Sequence, residues 1–289
     1  MNSPFNKRYK DFEDKALIKQ SLAGDKKALE MLVGRHQPYI YNFAWKMCGN
    51  PDDASDISQE VLIKVITNLS RFRQNSSFRT WLYRITINHF LDMKKSAMEA
   101  RVMGFEEYGN NLENIPNVEL TSQELIELDD QIKDAQYRCM SGMLLCLTRE
   151  QRIAYVLGDI FGADHHVGAT LLGITPSNYR MRLSRARKDL HSFMDHKCGL
   201  VNKANPCRCR KKVTFAIENG FVDPNNLQFN LKNQQRIKTV INPSVDSFGE
   251  YYNNKYSELQ CEMPFDNSSK PDIFKKILGN KEVQKLLNL

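Results

Sequence analysis

From residue 12 to residue 96 the apolar residues recur every three or four positions, and sustained two-residue alternation appears nowhere in the chain. That period belongs to helices, so an all-α fold is expected. Ala28, Leu29, Leu32, Val33, Ile40, Phe43, Ala44 and Met47 form one run after a break at Gly24-Asp25. Pro38 lies inside this run. It is expected to kink or split the helix, because proline lacks the N–H and its ring crowds the preceding turn. Asn50-Pro51 reads as a helix start, with asparagine as cap and proline at the first helical position. Ala54, Ile57, Val61, Val65 and Leu69 then form a buried stripe. A loop at 71–76 precedes a third helix expected over Ser77 to Lys95.

Four segments follow from this pattern. Residues 12–96 form a first helical domain. Residues 97–134 are polar and broken by Gly104, Gly109 and Pro116, as a linker is. Residues 135–195 form a second helical domain that ends in a helix-turn-helix. Its parts are His165 to Leu172, a Gly173-Ile174-Thr175 turn, and Pro176 to Phe193. Residues 196–289 are an extension rich in Asn, Pro and Ser over 213–270. It closes on an amphipathic helix expected from Asp272 to Leu287, with Ile273, Ile277, Leu278, Val283 and Leu286 apolar.

Charge separates these segments. The chain carries +7 overall. Glu99 to Asp134 holds ten acidic residues against two basic, a net of −8, and Arg180 to Lys212 holds eleven basic against two acidic, a net of +9. Basic density of that kind points to phosphate contact. No stretch approaches the roughly 18 apolar residues of a membrane span, and MNSPFNKRYKDFEDK has no signal-peptide core. Four of the seven cysteines (Cys48, Cys139, Cys146, Cys261) are scattered. A disulfide framework is not expected, and a reducing cytoplasm is the expected compartment. No P-loop, nucleophile–base set or catalytic carboxylate pair stands out, so no enzymatic activity is expected.

Two polar faces remain after the core is assigned. Asp53, Asp56 and Glu60 lie three and four apart beside Gln59. They share a helix face despite their repulsion, and such a face suits a basic protein partner. The segment from Ser70 to Arg84, SRFRQNSSFRTWLYR, interleaves aromatics with arginines. That mixture suits stacking on unpaired bases. Phe78, Trp81, Leu82 and Ile85 are mostly core, whereas the loop and the Arg84, Asn88, Asp92 and Lys95 face are free to meet bases and phosphates.

The run from Asp14 to Lys95 resembles region two of bacterial RNA polymerase sigma factors of the extracytoplasmic-function type. The resemblance is carried by NPDDASDISQEVLIKV and FRQNSSFRTWLYRITINHFLDMKK in that order. LTREQRIAYVLGDIFGADHHVGATLLGITPSNYRMRLSRARKDL resembles region four of the same family. The two cover roughly half of the chain. The resemblance implies a promoter-specificity subunit whose partners are core RNA polymerase, duplex and melted promoter DNA, and a candidate anti-sigma factor. It implies that Asp53, Asp56, Gln59 and Glu60 dock on the polymerase clamp. Arg71, Phe72, Arg73, Asn75 and Ser76, in the loop that runs to Ser77, would capture a flipped base of the minus-ten element. Arg84, Asn88, His89, Asp92, Lys94 and Lys95 would read and grip that element. Ser177, Asn178, Arg180, Arg182 and Arg185 would enter the major groove at minus thirty-five, with Arg187 and Lys188 on phosphate. The acidic linker would thread through the polymerase. Two positions depart from the region-four pattern: Gly168 stands where alanine is usual, and Tyr179 where a small branched residue is common.

The extension lies beyond this resemblance. His196, Cys198, Cys207 and Cys209 in DHKCGLVNKANPCRCRKK are a candidate structural zinc set, although no cofactor is required by the resemblance. Two alternative readings are a free-standing helix-turn-helix regulator and a zinc or redox sensor acting through the extension. The first leaves the Asp53–Glu60 face and the aromatic loop unexplained. The last helix either docks on a partner or closes a small domain.

Overall fold

The computed structural model describes residues 5, 11–94, 99–100, 104–227, 277 and 279–286. Its helices are α1 (Asp11–Leu22), α2 (Lys26–Cys48), α3 (Pro51–Thr67), α4 (Phe78–Asp92), α5 (Phe105–Asn114), α6 (Ser122–Glu127), α7 (Asp129–Leu145), α8 (Arg149–Tyr155), α9 (His165–Leu172), α10 (Pro176–Lys197), α11 (Cys209–Glu218) and α12 (Lys281–Leu286). Among the described residues there is no strand, only one isolated bridge between Cys198 and Cys207. The fold is all-α, as the apolar spacing requires. Among these residues no helix is long and apolar enough to cross a membrane.

The chain divides into two compact units: residues 1–96, 156–181 and 267–289 in one, 97–155 and 182–266 in the other. This differs from the domain boundaries read from the sequence. Phe161 supplies a reason: its ring lies 6.2 Å from Phe43 and 5.8 Å from Tyr83, so the chain after α8 joins the first core.

In the first unit α1, α2, α3 and α4 pack together. Asp25 caps α2 through Lys27 and Ala28 N–H, and Gly49 ends it in the left-handed conformation that glycine adopts without strain. α2 runs on through Pro38, so of the two expected outcomes the split does not occur. Ile40, Phe43 and Ala44 are fully buried just beyond it, and this packing outweighs one lost hydrogen bond. The polar core between α1 and α2 is Asp14, wholly buried, against His36 at 2.7 Å and Arg35 at 3.0 Å. Asp11 accepts from Phe78 N–H at 2.8 Å, so α1 helps to start α4. The terminal helix α12 packs on α3, with Ile277 and Val283 buried. Of the closing helix expected from Asp272 to Leu287, Ile273 and the side chains of Leu278 and Leu286 lie outside the described residues.

In the second unit the linker is substantially helical, as α5, α6 and the start of α7. The centre of this unit is Arg152, 2% exposed, which donates to the carbonyls of Leu144, Leu145 and Leu147 at the end of α7. Glu99 sits 3.2 Å from Arg152 and 2.6 Å from Arg149. Burial pushes the Glu99 carboxyl up, but the Arg149 hydrogen bonds and both guanidinium charges hold it below the usual range. Removing one partner of a buried pair costs about 3 kcal/mol. Glu99→Ala is therefore expected to destabilise the protein by about that amount in denaturant titration, whereas Glu107→Ala, on the exposed side of α5, leaves the midpoint unchanged.

Candidate nucleic-acid interface

α3 separates the two kinds of surface that the sequence suggested. Asn50 caps it through Asp52 and Asp53 N–H, with Pro51 at its start. Ala54, Ile57, Ser58, Val61, Leu62, Val65 and Ile66 are buried, while Asp56 and Glu60 stay exposed and Asp53 and Gln59 are half-buried. The acidic residues expected to meet polymerase thus share the outward side of a helix whose inner side is core.

The loop after α3 opens with a single 3-10 turn, Leu69–Arg71. Arg71, Arg73, Asn75 and Ser76 are exposed, and Gln74 adopts a positive φ of 57° at the bend. Phe72 differs from the expectation. Its ring packs 5.4 Å from both Phe78 and Trp81, so it anchors the loop to α4 rather than standing free for a base. Ser77 caps α4 by accepting from Thr80 N–H at 3.1 Å. The loop is therefore pinned at both ends by local chemistry, with its polar residues outward.

On α4, Arg84, Asn88 and Asp92 are exposed on one face, and Lys94 is exposed just past its end. Lys95 lies outside the described residues. Arg84 is engaged within this unit, donating to the Thr170 carbonyl of α9 at 3.1 Å. His89 corrects the sequence reading: it is 8% exposed and lies between α3 and α4. Lys64 Nζ is 2.7 Å from its Nδ1, and a Glu60 carboxylate oxygen is 3.3 Å from its Nε2. A lysine donor on Nδ1 requires that nitrogen to be an acceptor, which leaves the proton on Nε2 facing Glu60. His89 is a strut that ties the acidic stripe of α3 to α4.

The helix-turn-helix matches the spacing read from the sequence. Asp164 caps α9 through His166 and Val167 N–H, Gly173 closes it in the left-handed conformation, and Thr175 Oγ1 accepts from Asn178 N–H. Ser177, Asn178, Arg180, Arg185, Arg187 and Lys188 are exposed on α10, and Arg182 is half-buried. The two departures from the family pattern prove to be one. Tyr179 is fully buried, and its ring occupies the place of a side chain at residue 168: a Cβ there would lie 2.2 Å from Tyr179 Cζ. Glycine is needed because the tyrosine fills the methyl's space.

The extension departs from expectation. His196 is exposed, with Nδ1 2.6 Å from the Ser192 carbonyl, and takes no part in a cysteine cluster. Cys198, Cys207 and Cys209 instead line a cavity of about 160 Å³ together with Cys139 of α7, which lies far from them in sequence. Among the described residues no three His, Cys, Asp or Glu side chains stand in metal-holding geometry, and the expected set is altered in one member: His196 points elsewhere and Cys139 takes its place beside the three cysteines. Burial pushes the Cys139 thiol up to about 12 and raises those of Cys198, Cys207 and Cys209.

The tail's polar residues serve as caps. Asn205 donates to the Asp195 and Cys198 carbonyls at 2.9 and 3.1 Å, closing α10. Arg208 donates to the carbonyls of Lys203, Asn205 and Cys207. Gly199 is required beneath it, since a Cβ there would lie 2.1 Å from the Cys207 backbone carbonyl oxygen.

Two family models match this chain. The Sigma-70 region 2 model matches residues 32–99, and the Sigma-70, region 4 model matches residues 137–190. The fold and the order of the two regions define a sigma-70-type transcription initiation factor. Within that class its relatives include sigma factors of the extracytoplasmic-function (ECF) type. It is 33% identical over 176 residues to the ECF RNA polymerase sigma factor SigE of Mycolicibacterium smegmatis, a match covering 59% of this chain and 64% of that protein. It is 28% identical to the RNA polymerase sigma-H factor of Pseudomonas aeruginosa over 61% of this chain and 91% of that one. It is 27% identical to the ECF RNA polymerase sigma-E factor of Escherichia coli over the same shares. A solved structure of CnrH in complex with the cytosolic domain of CnrY overlaps with a TM-score of 0.43 at 24% identity, covering 63% of this chain and 97% of that one.

Two outcomes test this geometry. Gly168→Ala is expected to cost about 2 kcal/mol by overpacking, and adding Tyr179→Val should recover much of that loss in thermal melts. Burial, aided by Lys64 at His89, lowers the pKa of both His36 and His89 from 6.5. The unfolded chain therefore takes up these protons first. Stability is complete above about pH 6.5 and falls as pH drops from there through the folded values. Histidine ring resonances followed by NMR should titrate below 6.5 at both positions; midpoints above it would contradict the burial argument.

Proposed function

We propose that this chain is the promoter-specificity subunit that joins core RNA polymerase, recognises promoter DNA and helps to open it. The observation that carries the reading is the pairing of α3 and α4 through His89. An acidic face for a basic protein and a polar face for nucleic acid are fixed relative to each other by Glu60, Lys64 and His89. α3 docks on the polymerase through Asp53, Asp56, Gln59 and Glu60. The exposed residues of the 71–76 loop and of α4 engage the melted minus-ten element. α10 enters the major groove of the minus-thirty-five element with Ser177, Asn178, Arg180, Arg182 and Arg185, while Arg187 and Lys188 hold phosphate.

The factor carries no chemistry of its own and works in the cytoplasm, where polymerase and promoter meet. An anti-sigma factor is the regulatory partner of this reading, masking the face of α3 that polymerase needs. A free-standing helix-turn-helix regulator would use α10 but leave the acidic face of α3 without a purpose.

Asp56→Lys with Glu60→Lys is expected to weaken association with core polymerase by at least about tenfold, since opposed charges at an interface cost several kcal/mol. Circular dichroism should stay unchanged. Undiminished association would refute the docking role. Replacing Arg182 and Arg185 by Gln should lower the slope of log affinity against log salt by about 1 to 2, given about 0.9 per phosphate contact. An unaltered slope would count against duplex contact there.

A further inference from the structure

The lysines around the end of α10 and the first turn of α11 face the acidic linker. Lys197 Nζ lies 2.5 Å from a Glu113 carboxylate oxygen, and Lys211 forms an ion pair with Glu119. Lys212, 8% exposed, donates to the Ile115 carbonyl at 2.7 Å. The Val118 N–H donates to the Lys211 carbonyl at 2.8 Å. Upstream, the rings of Phe105 and Tyr108 lie 5.2 and 5.9 Å from Phe193, and a Cβ at Gly109 would be 3.2 Å from that ring. The acidic segment is thus held along α5 and through residue 119 by residues 193–212 of the same unit.

We propose that residues 197–212 form an intramolecular clasp on the acidic linker, and that core RNA polymerase must open this clasp to seat the linker in its own path. The inference rests on the sigma reading, because that reading is what sends the linker into the polymerase. The physical logic is competition for one acidic segment. Glu113 and Glu119 cannot pair with Lys197 and Lys211 and at the same time with basic groups of the polymerase. Any population of clasped linker therefore lowers the apparent affinity for core by the fraction left open. The carboxylates of both pairs are substantially exposed, so salt weakens the clasp. The positive charge that reads in the sequence as a phosphate-binding patch is in part a receptor for the chain's own linker.

The test uses the full chain carrying Lys197→Ala and Lys211→Ala. Amide hydrogen exchange over residues 105–119 should quicken, and binding to core at low salt should tighten by a factor of about three to ten, the range that two exposed ion pairs can supply. Lys211→Glu alone should also release the segment, and adding Glu119→Lys should restore protection by reversing the pair. Unchanged exchange, failure of the reversed pair to restore protection, or core affinity that stays level or falls would overturn the clasp. Absence of any core binding by the unaltered chain is a different result, which would sink the sigma reading itself.

Discussion

Burial of one side of α3 against α2 and α4 dictates what the first unit shows to its surroundings. A helix of this pitch with Ala54, Ile57, Val61 and Val65 inside must carry Asp56 and Glu60 outside. Their mutual repulsion costs a few tenths of a kcal/mol per pair, which the core on the other side easily exceeds. His89 then converts a helix pair into a fixed angle between surfaces. It is buried between α3 and α4, and its two ring nitrogens face Lys64 and Glu60 of one helix. The acidic stripe and the polar face of α4 are consequently joined through one buried side chain, an arrangement that suits the proposed contact with a protein and a melted strand at once.

The second unit depends on a different device. The end of α7 leaves carbonyls without helical partners, and the Arg152 guanidinium takes three of them inside the core. Its charge is answered by Glu99. The tail repeats the solution in neutral form, with Asn205 closing α10 and Arg208 closing the turn that follows. Polar side chains aimed at backbone carbonyls help to make the KCGLVNKANPCRC segment compact.

Much of the fold was legible in the sequence, and for a physical reason. Helix starts and stops are local events, so Asn50-Pro51, Ser77, Gly173 and Thr175-Pro176 each announced a boundary that the structure keeps. What stayed hidden depends on distant neighbours. Pro38 looked like a breaker, because the packing that carries α2 through it comes from other helices. Gly168 and Tyr179 read as two separate oddities until their contact explained both. His89 lay among DNA-facing residues by spacing, yet Lys64 and Glu60 claim it from the preceding helix. Phe72 belongs to an aromatic cluster that only the folded loop assembles. The tail misled most: Cys139 joins its cysteines around one cavity from α7, His196 turns away, and Lys197 and Lys211 meet glutamates of the linker.

The account stands on the chain acting by directing another machine to a start site. Run-off transcription on a mixture of genomic fragments, with core polymerase alone and with the full chain added, tests this most directly. The account predicts a set of discrete new 5′ ends that appear only when the chain is present. Transcripts indistinguishable from those of core alone would contradict it.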